Sequence, residues 1–305
     1  MNGAAIHALQ PAFDDAGRLA SHLGLPMHAI EVHRFPDGEL RVTIGAVTET
    51  AIVYAPLDQP NDKLLALLFA ADAFRREGVA RLLLVAPYLC YMRQDIAFRK
   101  GEAISQKVVG ALIAKSFDRV VTVDAHLHRT KNIEDVFPGI EAEDLSAMAA
   151  IADALGDEGI SGETVIVGPD EESRPWISDL AGRLGLSHAA ARKSRRGDRS
   201  VDIAFPEPGL FAGRPTLIVD DIVSSGGTLI ACAKTLLAAG AATVDAVIIH
   251  ALFPAEMMRS FVDAGIRSVR STTSVPHPSN SFRLDRVLAD ALRMETGPRR
   301  RIHER

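Results

Sequence analysis

Cysteine is scarce in this chain. Cys90 and Cys232 are the only two among 305 residues. So small a supply excludes a disulfide framework and a cysteine-ligated zinc site, and it predicts a reducing, cytoplasmic setting. Long apolar runs are missing as well, since none reaches the roughly 18 residues of a membrane span. The first residues lack the basic region and apolar stretch of a secretory signal. A surplus of positive charge is also absent. The net charge is −5, which gives no electrostatic case for nucleic acid or an anionic membrane as partner. The Arg299-Arg300-Arg301 run reads as a solvated tail. What remains is a chain 47% hydrophobic and 24% charged, long enough for two ordinary domains.

The chain is organised around Leu217-Ile218-Val219-Asp220-Asp221-Ile222-Val223-Ser224-Ser225-Gly226-Gly227-Thr228. A β-branched apolar run reads as a buried strand ending at two adjacent carboxylates. Small and hydroxylated residues follow, and then the spacing of a helix over 229–239. A strand, a tight loop and a helix N-terminus make an anion site, because backbone N–H groups and the helix dipole converge there. Ser224, Ser225, Gly226, Gly227 and Thr228 would cradle one phosphate. Asp220 and Asp221 would repel that phosphate, so they suit the hydroxyls of a sugar instead. A phosphorylated sugar fits the grouping, with ribose 5-phosphate the natural candidate. The stretch resembles the ribose-phosphate signature of the phosphoribosyltransferase-type fold. It is neither a Walker loop nor a dinucleotide fingerprint.

Along the rest of the chain, strands and helices alternate. Strands are predicted over 51–54, 81–86, 120–123, 164–167, 243–249 and 267–271. Helices are predicted over 62–76, 104–116, 147–155, 175–184, 256–263 and 284–294. This alternation indicates mostly parallel sheets flanked by helices, with functional groups gathered beyond the strands' C-terminal ends. The expected organisation is two tandem α/β domains, 1–145 and 146–305. Pro36-Asp37-Gly38 predicts a hairpin tip.

Three further pairs carry chemistry. His126 follows a strand end, and Asp170 occupies the equivalent end in the second half. Together they would suit Mg2+, which keeps most of its waters and takes further ligands from substrate phosphates. Lys193 and Arg195 lie in a basic segment, 192–199, that reads either as a solvated turn or as a flexible loop closing over a phosphate chain. Arg93 and Gln94 could contact a nucleotide, Arg93 through its guanidinium fork.

In this order the motifs resemble those of the ribose-phosphate pyrophosphokinases, also called phosphoribosyl diphosphate synthases, across nearly the whole chain. The resemblance implies two phosphoribosyltransferase-like domains and transfer of diphosphate from ATP to ribose 5-phosphate. It implies that Phe35, Asp37, Gly38 and Glu39 form an ATP loop, and that Arg93 and Gln94 form a second ATP segment. His126 and Asp170 would then hold magnesium, and Lys193 and Arg195 would be catalytic, with Arg195 also touching ribose 5-phosphate. Asp220 to Thr228 would bind that sugar phosphate. The resemblance further implies a homo-oligomer in which the Phe35 loop reaches a neighbouring subunit. Met92, Ile96, Ser224 and Glu171-Glu172-Ser173 depart from the commoner bacterial pattern, which bears on nucleotide preference and allosteric control rather than on reaction class. A transferase consuming phosphoribosyl diphosphate, and a silent regulatory homologue, are the alternative readings.

Overall fold

In the computed structural model, residues 3–196 and 200–296 are described, with the backbone alone for 193–196 and 200–202. The chain forms two compact units, Met1–Leu145 with Asp285–Arg305, and Ser146–Leu284.

The first unit holds β1 (Ala4–Leu9), α1 (Phe13–Leu23), β2 (Met27–Arg34), β3 (Leu40–Thr43), β4 (Thr50–Tyr54), α2 (Pro60–Arg76), β5 (Arg81–Ala86), α3 (Ser105–Ala114), β6 (Arg119–Val123) and β7 (Glu141–Leu145). Its sheet has the order β3-β2-β1-β4-β5-β6-β7. All pairings are parallel except the β2–β3 hairpin. The central strands β1, β4 and β5 are buried along their whole length, as helices on both faces of a parallel sheet require.

The second unit repeats the design. Its elements are α4 (Met148–Asp157), β8 (Val165–Gly168), α5 (Arg174–Leu184), β9 (Ser187–Ala190), β10 (Arg192–Arg196), β11 (Ser200–Ala204), β12 (Pro215–Val223), α6 (Gly227–Ala238), β13 (Thr243–Ala251), α7 (Met257–Asp263), β14 (Ile266–Thr272) and β15 (Asn280–Phe282). The sheet order β15-β14-β13-β12-β8-β9 is parallel throughout. Strand order reverses between β8 and β12, so the crevice outside their C-terminal ends is where a ligand fits such a fold. Val165, Val167, Ile218, Leu229, Leu236 and Ile248 pack into the core beneath it.

The structure corrects three expectations. The second domain does not run to residue 305, because α8 (Asp285–Leu292) returns to the first unit. That helix buries Leu288, Ala289 and Leu292, and Asp285 Oδ2 lies 2.6 Å from His22 Nε2 at the end of α1. The central strand does not stop at the acid pair, since β12 stays paired with β13 as far as Val223 opposite Ala251. The basic segment is no simple loop: Arg192–Arg196 is a strand, paired antiparallel with Ser200–Ala204. Among the described residues, no helix is long and apolar enough to cross a membrane.

Candidate active site

The second unit carries the acid pair and the turn expected to cradle a phosphate. β12 delivers Asp220, half-buried, and Asp221, only 6% exposed. Asp220 Oδ1 accepts the Asp221 N–H at 3.1 Å, and Asp221 Oδ1 accepts the Ile222 N–H at 2.7 Å. These local bonds hold the carboxylates near the C-terminal end of β12. The chain then turns through Ser224 and Ser225 into Gly226, the N-cap of α6, at φ +70°. A side chain is barred there twice over. The backbone is left-handed, and a Cβ would lie 2.6 Å from Phe261 Cε1 and 2.8 Å from Met257 Cε. Gly227 faces more open space, with only Ser225 Oγ at 4.0 Å from where its Cβ would be. No side chain caps α6, so its first-turn N–H groups meet the loop uncovered by a capping oxygen. Ser225 is exposed and Ser224 and Thr228 are half-buried, which puts three hydroxyls at the same turn.

Asp170 follows β8, the strand beside β12. Its Oδ1 accepts the Ser173 N–H at 3.2 Å, and its carbonyl accepts the Ser173 hydroxyl at 2.5 Å. Gly168 makes that turn possible, since a Cβ would sit 1.9 Å from Ser173 Oγ. Cys232 on α6 lies within reach of the charge of both acids. Burial pushes its thiol pKa up, and the negative charges of Asp220 and Asp170 push it further. The structure thus brings Asp170, Asp220 and the phosphate turn together at the β8–β12 reversal. The side chains of Lys193 and Arg195 lie outside the described residues; their backbone pairs with Ile203 and Val201 in the β10–β11 ribbon.

The first unit carries the other expected residues, all beyond C-terminal strand ends or on the hairpin. Phe35 N donates to Glu39 O at 2.8 Å, Gly38 N to Phe35 O at 2.9 Å, and Glu39 N to Asp37 Oδ1 at 3.1 Å. These bonds close a rigid tip around Gly38 at φ +94°. The Phe35 ring packs against His33 at 4.7 Å, with the Arg41 guanidinium 5.9 Å away. Residues 31–39 are exposed throughout. Arg93 is exposed after β5, while Gln94 Oε1 accepts the Ser105 hydroxyl at 2.8 Å. His126 is half-buried after β6, its ring 3.8 Å from that of His128.

Backbone strain collects at this edge. The described non-glycine residues with positive φ are Gln59, Tyr91 and Asp124, in the loops after β4, β5 and β6. Strain of this sort persists where surrounding structure over-determines it, and it clusters at functional sites. Asp124 is held by its N–H on Leu145 O at 2.8 Å, and Ala125 N–H by Asp144 Oδ1 at 2.9 Å. Sequence reasoning places Asp95 in the second ATP segment, Tyr91 to Asp95, without a role of its own and gives none to Arg129, whose contact with it joins two of these loops. Nothing in the spacing of either marks it; a pairing across 34 positions is visible only in three dimensions.

Among the described residues, no group of three or more His, Cys, Asp and Glu converges as a metal site. The expected donors are one imidazole, His126, in the first unit and one carboxylate, Asp170, in the second. The Asp170 carboxylate is a hard oxygen donor, one oxygen of which accepts the Ser173 N–H. So small a protein contribution fits Mg2+, which is filled out by water and substrate phosphates.

Two mostly parallel α/β units, one with an acid pair running into a glycine-turn phosphate cradle, define a two-domain enzyme of phosphoribosyltransferase-type fold. Residues 6–116 match the family model described as the N-terminal domain of ribose phosphate pyrophosphokinase, and residues 142–285 match the phosphoribosyl transferase domain. A ribose-phosphate pyrophosphokinase of Methanobrevibacter smithii is 31% identical over 294 residues, covering 92% of this chain and 97% of its own. One from Pyrococcus abyssi is 33% identical over 248 residues, covering 81% and 84%. The crystal structure of phosphoribosylpyrophosphate synthetase from Mycobacterium smegmatis superposes with a TM-score of 0.83 over 95% of this chain and 98% of that one, at 23% identity, a likeness of fold. The chain belongs to the ribose-phosphate pyrophosphokinase family.

Proposed function

We propose that this enzyme transfers the β,γ-diphosphate of ATP to the 1-hydroxyl of ribose 5-phosphate, giving phosphoribosyl diphosphate and AMP. The observation that carries the reading is the turn at Gly226 and Gly227, where uncapped helix N–H groups and the open space beside Gly227 offer room for one phosphate next to the two acids. In this reading Ser224, Ser225, Gly226, Gly227 and Thr228 bind the 5-phosphate. Asp220 and Asp221 accept hydrogen bonds from the ribose hydroxyls and so aim the sugar. Phe35, Asp37, Gly38 and Glu39 contact the adenine, with Phe35 stacking on it, and Arg93 and Gln94 hold the rest of the nucleotide. Lys193 and Arg195 place positive charge on the diphosphate as it moves, which is where phosphoryl-type transfer gains most from a protein. His126 and Asp170 would hold Mg2+, which supplies charge neutralisation on the phosphate oxygens. The deciding experiment incubates purified protein with ATP, Mg2+ and ribose 5-phosphate. Sugar-dependent AMP is expected; consumption of phosphoribosyl diphosphate with a base, and no AMP, would overturn the reading.

Asp220→Asn is expected to raise chiefly the KM for ribose 5-phosphate, because it weakens a hydroxyl acceptor and leaves the phosphate turn intact. A rise confined to the KM for ATP would reverse the assignment of the two substrate sites.

The protein works, in this reading, as a homo-oligomer in the cytoplasm, each ATP site completed by the Phe35 hairpin of a neighbouring subunit. The hairpin's tight closure and its exposure along residues 31–39 support a projecting arm. Subunit exchange between inactive Asp37→Ala/Glu39→Ala protein and inactive Lys193→Ala protein should restore part of the wild-type activity. No recovery after proven exchange would mean that the arm serves its own chain.

A further inference from the structure

The loops after β5 and β6 are separate in sequence, yet two bridges tie them side by side. The first is ionic. Asp95 Oδ1 accepts Arg129 Nη1 at 2.8 Å, and Oδ2 accepts the Arg129 backbone N–H at 3.2 Å. The Asp95 side chain is 2% exposed, whereas that of Arg129 is 54% exposed. A carboxylate so deeply placed depends on its partner, since an ion left alone in that setting is costly. The Arg129 guanidinium also lies 5.8 Å from the Phe98 ring, a second anchor in the same loop. The second bridge is Gln106 at the start of α3. Its Nε2 donates to Met92 O at 3.5 Å, and its Oε1 accepts the Thr130 hydroxyl at 2.7 Å.

These bridges flank the groups assigned to substrate and metal. Arg93 and Gln94 immediately precede Asp95, and His126 stands three residues before Arg129. We infer that Arg129 is a positioning residue: through Asp95 it sets the nucleotide segment Arg93-Gln94 and the His126 strand end in one fixed relation. The inference rests on the roles given above to Arg93, Gln94 and His126. Its consequence is specific. Loosening one bridge should disturb nucleotide binding and metal binding together, and leave the ribose 5-phosphate site in the other unit alone. Loss of a group bonded directly to a metal ligand costs about 10- to 100-fold in metal affinity or activity, and Arg129, which acts one step further out, should fall at the lower end.

The test measures three constants for Arg129→Gln, Arg129→Lys and Asp95→Asn in the full-length protein. They are the Kd for Mn2+ without nucleotide, read from the paramagnetic signal of the free ion, and the KM values for ATP and for ribose 5-phosphate. Arg129→Gln should raise the Mn2+ Kd and the ATP KM each by roughly tenfold, the lower end of that range, with the ribose 5-phosphate KM unchanged. Arg129→Lys should recover part of both losses by restoring the cation, and Asp95→Asn should reproduce them from the other side of the pair. Unchanged Mn2+ and ATP constants in folded Arg129→Gln and Asp95→Asn proteins would overturn the inference. So would an equal rise in the ribose 5-phosphate KM, the mark of general loosening. Arg93→Ala and His126→Ala, measured beside them, separate two failures. If they weaken ATP and Mn2+ binding while Arg129→Gln does not, the positioning role alone is lost. If they too change nothing, the roles of Arg93 and His126 fall, and the positioning role falls with them.

Discussion

Lys193→Ala should lower kcat on the order of 10²- to 10³-fold while changing the KM for ATP little, the loss expected when one donor to transition-state charge is removed. Ground-state ATP already meets Arg93, Gln94 and the hairpin in the proposed site, so the lysine adds little to initial binding. Its charge matters when the diphosphate is between oxygens, and an interaction made only there appears in kcat. The fold offers a reason for the position. Lys193 and Arg195 sit one strand period apart on β10, in register with Ile203 and Val201 of β11. A two-stranded ribbon is a stiffer carrier for two cations than the free loop that the basic composition suggests. Arg195→Ala should share the phenotype and also raise the KM for ribose 5-phosphate. Single-turnover measurement of AMP formation separates the chemical step from product release. A near wild-type rate in that assay would remove Lys193 from the mechanism.

The phosphate turn was legible in sequence because its chemistry is local. Two acids, then after Ile222 and Val223 two serines, two glycines and a threonine, predict a strand, a tight turn and a helix start that local backbone geometry can satisfy. The long buried strands were legible for a similar reason. Arg81-Leu82-Leu83-Leu84-Val85-Ala86 is apolar on both faces and needs helices above and below it. The acid pair misled on one point. Charge predicts the end of a strand, but β12 continues through Asp220 and Asp221 because β13 pairs with it to Val223.

Other elements were hidden because tertiary contacts, not local preference, decide them. Ala4-Ala5-Ile6-His7-Ala8-Leu9 is alanine-rich and carries a histidine, yet it is a buried strand at the centre of the first sheet. Burial, and then the neighbouring His28, lower the His7 pKa to about 4, so the imidazole is accommodated as a neutral ring against Phe74. Glu141-Ala142-Glu143-Asp144-Leu145 has almost nothing of a strand's composition. It pairs with β6 at the sheet edge because Arg81 takes Glu141 through two hydrogen bonds of 3.0 and 2.9 Å, and Arg119 takes Glu143 at 2.5 Å. The partners are strands away in sequence, and no window of residues contains both.

The same two arginines make the C-terminal segment part of the first unit, and Glu295→Ala should therefore cost that unit about 3 kcal/mol, the low end for breaking a buried ion pair. Glu295 is 6% exposed. Its carboxylate accepts Arg81 Nε at 2.8 Å and Nη2 at 2.7 Å, and Arg119 Nη1 at 3.0 Å. Arg119 also donates to Ala291 O at 3.2 Å, which ties it to the end of α8. Removing Glu295 leaves two guanidiniums whose remaining carboxylate partners, among the described residues, are the more exposed Glu141 and Glu143. For a unit of this size the loss should lower the unfolding midpoint by roughly 6–12 °C, at 2–4 °C per kcal/mol. Acid supplies an independent check. Burial raises the Glu295 pKa, but the hydrogen bonds and charge of Arg81, and then of Arg119, outweigh it and leave the pKa below its ordinary 4.5. A carboxylate whose folded pKa is depressed contributes stability above the unfolded pKa and loses it as pH falls through the folded one. The stability gap between wild type and Glu295→Gln should accordingly be steady well above the ordinary value of 4.5 and should close as the pH drops below it, through the depressed folded pKa. Denaturant titrations across that range measure the gap directly. A gap that does not narrow in acid would mean that the ionised form of Glu295 is not what holds α8 to the sheet.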